Sequence, residues 1–150
     1  MCFTVGGQEL GAPIRAVKET LPERPITRVF LLPPVLAGLT NLRGEVVAVI
    51  HLGRLLELPD ASENEHNIVI LRSARANRAA CGLLVDRLLG VRDVEDAAIL
   101  PPPPTLSPEP ASYLRGLARA GDPPRPLLVL DVDKVLATER LKPFRKAAQG

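Results

Sequence analysis

His51, His66, Cys2 and Cys81 are the side chains of this sequence that most often bind metals or attack substrates. A zinc site needs several such ligands at characteristic spacings, and neither histidine has a second histidine, cysteine or carboxylate at such a spacing. A reactive thiol needs a nearby positive charge, whereas Cys81 lies in the apolar run AACGLLV. We therefore predict structural or solvated histidines, an inert Cys81 and no metal site or cofactor.

Motifs that bind phosphates or build a nucleophilic serine are missing from the sequence. It contains no GxGxxG, no GxxxxGK[ST] and no GxSxG, the patterns of dinucleotide sites, P-loops and nucleophile elbows. One Tyr and three Phe are too few aromatic residues for a platform that stacks bases. With 19 basic and 17 acidic residues, the chain also lacks the excess of positive charge that nucleic-acid binding requires.

Asp131 and Asp133 form a pattern that resembles an enzyme motif. The segment LLVLDVDKV at 127–135 is similar to the DxD signature of haloacid-dehalogenase-type phosphatases, in which the first Asp is the nucleophile and the second a general acid and base. Those enzymes also use a Lys and further carboxylates around a magnesium ion, and little sequence follows Asp133 to supply them. We favour a strand followed by a short helix over 132–137, because Asp131 can accept hydrogen bonds from the first free amides.

Composition and length are those of one soluble domain. The chain has 150 residues, of which 46% are hydrophobic and 24% charged, values that exclude a disordered protein. The longest apolar stretch, 29–39, contains two prolines and is shorter than the roughly 20 residues that a membrane span requires. No signal peptide is visible, and two cysteines make no disulfide framework. We therefore expect a cytoplasmic protein that does not insert into the membrane.

Sixteen prolines break the chain into short elements, and the resulting pattern is mainly β. We expect a hairpin with Gly6-Gly7 at its turn, and further strands over 26–29, 45–50, 67–71, 81–85, 88–94, 113–120 and 127–130. Short helices are predicted over 33–37, where prolines begin the segment and Gly38 ends it, over 52–56 and over 132–137. We expect the polar segment 59–66 to form an exposed loop. Short strands at this spacing indicate barrels or a sandwich.

The segment GLTNLRGEVVAVI at 38–50 contains the most informative pattern. Asn41-Leu42-Arg43-Gly44 joins two β-like runs, so it predicts a hairpin turn in which Gly44 takes a positive φ. A guanidinium at such a turn is most often solvated.

This segment, together with matches along nearly the whole chain, resembles the CheW-like chemotaxis coupling proteins. The ordered matches are FTVGGQEL at 3–10, Pro13-Ile14 with VKE at 17–19, ITRV at 26–29, 34–38, NLRG at 41–44, GLLVD at 82–86 with Val91, Leu100-Pro101, YLRG at 113–116 and LVLD at 128–131. Thr20, where an apolar residue is usual, and the proline-rich stretch 101–110 depart from the family pattern.

The resemblance implies a fold of two SH3-like, five-stranded β-barrel subdomains with a few short helices, over residues 1–138, followed by a basic C-terminal tail over 139–150. It implies a non-catalytic adaptor that joins a methyl-accepting chemoreceptor's cytoplasmic tip to the regulatory domain of a CheA-type histidine kinase. A metal-dependent phosphatase and a detached regulatory module of a kinase pathway stay open as alternatives.

The resemblance also places two candidate binding surfaces on this sequence. The residues expected at the receptor are Arg43, Asn41, Gly38, Val17 and Glu19. The residues expected at the kinase are Ile14 and Leu10, as apolar anchors of an exposed barrel surface, although Leu10 could equally point into the core.

Overall fold

The computed structural model describes residues 1–22, 25–28, 33–59, 66–72 and 79–138. Val29 of one expected strand, most of the expected loop 59–66 and the basic tail 139–150 lie outside these ranges. Within them the strands are β1 (Cys2–Val5), β2 (Gln8–Gly11), β3 (Val17–Pro22), β4 (Leu36–Leu42), β5 (Glu45–His51), β6 (Asn67–Arg72), β7 (Ala79–Val85), β8 (Leu88–Gly90), β9 (Leu114–Ala120) and β10 (Arg125–Leu130). The helices are α1 (Leu52–Leu55), α2 (Pro108–Ser112) and α3 (Val132–Ala137), with single 3₁₀ turns at Ile14–Ala16 and Asp96–Ala98.

The strands form two five-stranded sheets, in the orders β8-β1-β2-β10-β9 and β3-β6-β7-β5-β4. In each sheet one parallel pair, β2–β10 or β7–β5, joins two antiparallel hairpins. The two sheets therefore have the same arrangement of strands, but the chain begins at a different strand of this arrangement in each. The sequence nevertheless shows no repeat.

Each sheet curls because the chain that leaves one edge strand bridges to the opposite edge strand. Leu100, after β8, pairs with Leu117 of β9, and Thr27, after β3, pairs with Leu39 of β4. The Thr27–Leu39 bridge has two backbone hydrogen bonds of 2.7 and 2.8 Å. These bridges cover edges that would otherwise expose unpaired backbone groups, and we call the two units the first and second barrel. The expected mainly β fold with two barrels and few short helices is confirmed.

The largest apolar core is shared by both barrels. Its fully buried side chains come from the first barrel (Phe3, Leu10, Leu130), from the second (Ile50, Val69, Leu71) and from α1 (Leu52, Leu55). A second cluster fills the second barrel with Leu21, Leu42, Val47, Val49, Ile68 and Ile70. Because the first cluster includes side chains of both barrels, separating the barrels would expose it to water.

Several local predictions are confirmed by the backbone. Gly6 and Gly7 have φ values of +56° and +80° between β1 and β2, as a two-residue hairpin requires. Asp131 Oδ1 accepts a hydrogen bond from the Lys134 amide at 3.2 Å and caps α3. The helix expected over 52–56 is α1.

Three predicted elements differ from the structure. The helix expected over 33–37 is wrong, because a turn at 34–35 leads directly into β4, whose residues alternate between more and less buried positions. The strand expected over 88–94 ends at Gly90, which has a φ of +92°. Of the strand expected over 26–29, the described residues contribute only the bridge at Thr27.

Candidate partner-binding surface

The turn between β4 and β5 holds Arg43 in an unusual backbone conformation. Arg43 and Gly44 have φ values of +51° and +85°, and Leu42 pairs with Glu45 across them. Two successive positive φ angles are typical of a type I′ hairpin turn, which favours Asn or Gly at its first central position. An arginine there costs about 1–2 kcal/mol of backbone strain relative to glycine. A strained residue on a surface turn is a candidate for a functional role.

Two contacts fix this turn and its side chain. The Arg43 guanidinium donates two hydrogen bonds to the Glu19 carboxylate, Nη1 to Oε1 at 2.9 Å and Nη2 to Oε2 at 2.8 Å. The Gly44 amide donates to Asn41 Oδ1 at 2.9 Å. Hydrogen bonding to Glu19 raises the pKa of Arg43, so the guanidinium is charged at every physiological pH. Three of the five residues expected at the receptor therefore form one contact network.

The ion pair spans the two outer strands of the second barrel, because Glu19 lies on β3 and Arg43 at the end of β4. The Arg43 side chain is 69% exposed, while that of Glu19 is 21% exposed. The pair thus leaves most of the Arg43 side chain open to solvent.

The other two residues expected at the receptor lie below the surface. Val17 is buried and packs in the shared core. Gly38 is buried with a φ of +146°, and a Cβ at this position would collide with the carbonyl oxygen of Thr27. Neither residue therefore presents a side chain at the surface of the free chain. Gly38 instead permits the backbone bridge that curls the second barrel.

The two residues expected at the kinase have opposite environments. Leu10 is 0% exposed and belongs to the shared core, so the alternative of a core residue is confirmed and the side chain does not lie on the exposed surface expected of an anchor. Ile14 begins a 3₁₀ turn between β2 and β3 and is 55% exposed. A large apolar side chain with this exposure can act as an anchor for a partner.

Ile14 lies at a cleft of about 280 Å³ beside the first barrel. Val91, which is 61% exposed, lines the same cleft, together with the half-buried Ile99. Arg115 and Asp96 add an ion pair with an N–O distance of 3.4 Å. An apolar cleft that carries a few polar groups is typical of a binding site.

Another ion pair stabilises the first barrel beside this cleft. Glu9 Oε1 lies 3.6 Å from Arg92 Nη1 and 3.1 Å from Arg125 Nη2. The side chains of Glu9 and Arg92 are 15% and 19% exposed. Arg92 lines the cleft, but its charge is already directed at Glu9, so we assign it a structural role.

Sequence reasoning missed Val91 and Val46 as surface residues. Val46 is 63% exposed and pairs with Asn41 across the β4–β5 hairpin, close to Arg43. Residues 46–50 are all apolar, so no alternation in this run distinguishes the exposed Val46 from the buried residues that follow it. Val91 belongs to a segment that the sequence identifies only by resemblance, and its position at the same cleft as Ile14 depends on the long-range pairing of β8 with β1.

Asp131 and the two cysteines, which were considered for chemistry, take structural positions. Asp131 caps α3, and among the described residues no group of three or more His, Cys, Asp or Glu side chains could hold a metal ion. Burial raises the pKa of the Cys81 thiol to about 12. The Cys2 thiol is also buried, and burial raises its pKa. No helix among the described residues is long and apolar enough to cross a membrane.

Comparison with known proteins gives consistent matches over nearly the whole chain. The CheW-like domain profile matches residues 1–140. Chemotaxis protein CheW of Klebsiella aerogenes is 30% identical over 141 residues, which cover 94% of this chain and 82% of that protein. Protein FrzA of Myxococcus xanthus is 32% identical over 139 residues, covering 93% and 85%.

A solved structure shares the fold. The crystal structure of scaffolding protein TtCheW from Thermoanaerobacter tengcongensis matches with a TM-score of 0.77, covering 93% of this chain and 87% of that chain. At 22% sequence identity, this match establishes the two-barrel fold.

Proposed function

The chain belongs to the CheW-like domain family, and we propose that it is a non-catalytic cytoplasmic adaptor that couples chemoreceptors to a CheA-type histidine kinase. The observation that carries this proposal is the Arg43 guanidinium, which is exposed, charged and fixed in place by Glu19. Relatives named for chemotaxis and a relative described as a scaffolding protein support it.

Arg43 is suited to bind oxygen atoms of a receptor tip. Glu19 occupies the end of the guanidinium formed by Nη1 and Nη2. The Nε–H and the outward N–H bonds remain as donors for a carboxylate or a backbone carbonyl of the partner. The arginine is already held in one orientation, so binding orders fewer side-chain rotations and costs less conformational entropy.

Apolar surface next to this arginine supports docking. Val46 lies on the strand that follows the Arg43 turn and is 63% exposed. A charged residue mainly sets specificity and association rate, whereas buried apolar contacts supply much of the affinity. Arg43 and Val46 together provide both kinds of contact on one hairpin.

The cleft beside the first barrel is the proposed contact with the kinase regulatory domain. Ile14 and Val91 come from segments far apart in sequence and provide two exposed apolar side chains at one cleft. Because both side chains are already exposed, a partner can bury them without any change in the two barrels. With the receptor at the second barrel and the kinase at the first, one chain can hold both proteins at once.

Binding to both partners tests the proposal and the assignment of the surfaces. Isothermal titration calorimetry would compare wild type, Ile14→Glu and the control Arg119→Ala against the kinase regulatory domain and, separately, a soluble receptor-tip fragment. Ile14→Glu is expected to weaken kinase binding several-fold to hundred-fold, equivalent to about 1–3 kcal/mol, and to leave receptor binding unchanged. Arg119 is an exposed arginine on β9, and its removal is expected to change neither affinity.

The outcomes separate the parts of the proposal. If wild type binds neither partner, the adaptor function is wrong. If Ile14→Glu is folded and loses the receptor fragment instead of the kinase, the cleft belongs to the receptor surface. If it loses neither, the kinase docks elsewhere.

The phosphatase alternative is not favoured by the structure. The Asp131 carboxylate accepts a hydrogen bond from the Lys134 amide at the start of α3, a structural use that explains its position at the end of β10. A magnesium titration with a generic phosphate ester would show hydrolysis that Asp131→Asn abolishes if this alternative were correct.

A further inference from the structure

We propose that Asn41 is a positioning residue for Arg43, which acts through the hairpin turn and does not itself contact the partner. The inference rests on the proposed receptor-binding role of Arg43. Asn41 was expected among the residues that touch the receptor, whereas the structure engages its amide oxygen in the turn.

The contact of Asn41 is directed at the strained part of the hairpin. Its Oδ1 accepts from the amide of Gly44 at 2.9 Å, so the contact closes around Leu42 and Arg43 and ends at Gly44, and both Arg43 and Gly44 have positive φ. A side chain that accepts a hydrogen bond from the backbone shortly after it favours a turn over the extended alternatives. Asn41 therefore stabilises the left-handed conformation that an arginine adopts only with strain.

The backbone conformation at Arg43 decides where its guanidinium lies. A positive φ changes the direction in which the Cα–Cβ bond leaves the chain, and the side chain then reaches Glu19 on β3. If the turn relaxed to an ordinary negative φ, the guanidinium would leave Glu19 and sample many directions. The free protein would then be in the binding-competent arrangement for only a fraction of the time, and the apparent affinity would fall in proportion.

Glu19 and Asn41 therefore act at different points on the same residue. Glu19 holds the tip of the side chain, while Asn41 holds the backbone from which the side chain starts. Because both act through Arg43, their effect on binding requires that Arg43 be present.

A double-mutant cycle tests this dependence, using the full chain and a soluble receptor-tip fragment. Asn41→Ala is expected to lower the affinity about five- to tenfold in the wild-type background and less than twofold in the Arg43→Ala background. Asn41→Asp keeps a side-chain oxygen that can accept from Gly44 and is expected to restore most of the affinity. Hydrogen exchange of the Gly44 amide, followed by NMR, is expected to accelerate in Asn41→Ala and to stay slow in Asn41→Asp.

Each other result overturns a defined part of the argument. If Asn41→Ala lowers the affinity equally in both backgrounds, Asn41 contacts the partner directly and the inference is wrong. If Gly44 exchange accelerates but the affinity stays at the wild-type value, the turn does not position Arg43, and the inference is again wrong. If Arg43→Ala itself leaves the affinity unchanged, the proposed receptor site fails, whatever Asn41 does.

Discussion

Arg43 can be replaced in a way that separates its function from its effect on stability. Asn tolerates positive φ better than other non-glycine residues, so Arg43→Asn keeps the turn and removes the guanidinium. The lost ion pair with Glu19 is largely exposed, since the Arg43 side chain is 69% exposed, and such pairs contribute about 0.2–1 kcal/mol. The relief of backbone strain, about 1 kcal/mol, offsets this loss.

The two terms nearly cancel, so the free energy of unfolding of Arg43→Asn should stay within about 1 kcal/mol of wild type. For a chain of this size that corresponds to a change in Tm of roughly 2–4 °C or less. An arginine that anchors an interface can cost about 2 kcal/mol or more on removal, which corresponds to roughly thirtyfold in affinity.

Differential scanning calorimetry and titration with a receptor-tip fragment would measure both quantities on the same sample. The matched control is Arg119→Ala, which removes an exposed arginine from the other barrel and should change neither. A fall in Tm by many degrees with unchanged receptor affinity would refute the reasoning, because Arg43 would then be a structural residue.

Three further predictions concern residues whose roles the structure assigns to stability. Leu10→Ala should destabilise the protein by about 2–5 kcal/mol in urea unfolding, because Leu10 is 0% exposed; a loss below 1 kcal/mol would contradict its place in the core. Asp131→Asn should keep the cap of α3 and stay within about 0.5 kcal/mol of wild type, whereas Asp131→Ala should lose about 1 kcal/mol; equal losses would show that the charge and not the cap matters. Burial raises the pKa of Cys81 to about 12. At a pH above the ordinary pKa of an unfolded thiol, the unfolded state has released the thiol proton while the folded state still holds it. The free energy of unfolding should therefore fall with rising pH. Between pH 9 and 10 the unfolding free energy of wild type should therefore fall more steeply than that of Cys81→Ala, by about 1 kcal/mol per pH unit, and parallel curves would contradict the burial of the thiol.

Local signals in the sequence predicted those features that depend on neighbouring residues alone. The hairpin at Gly6-Gly7 and the cap at Asp131 are such features, since each is decided within a few residues. The residues 33–37 show the limit of this reasoning. Prolines followed by a glycine fit the ends of a helix, but Leu36 pairs with Ile50 of β5, and pairing with a distant strand outweighs a weak local preference.

The candidate site could be predicted only in part for the same reason. The resemblance identified Arg43 and Glu19 separately, and nothing in the sequence alone shows that a bidentate ion pair joins them across 24 positions. In the sequence, Ile14 and Leu10 are both apolar residues of an early segment, and nothing distinguishes them. The pairing of β2 with β1 and β10 shows that Leu10 lies in the core. Gly38 belongs to the segment that resembles the binding motif, and that segment alone does not reveal its structural role. The carbonyl oxygen that a Cβ at Gly38 would meet belongs to Thr27, which lies outside that motif.

Recruitment of the kinase to receptors by this chain tests the central claim most directly. Receptor-containing membranes would be mixed with a CheA-type kinase, with or without the chain, and sedimented, and the kinase in the pellet would be measured. We expect the chain to increase kinase recovery several-fold. Arg43→Asn and Ile14→Glu should each reduce this increase, and Arg119→Ala should not. Equal recovery of the kinase with and without the chain would contradict an adaptor that holds both partners.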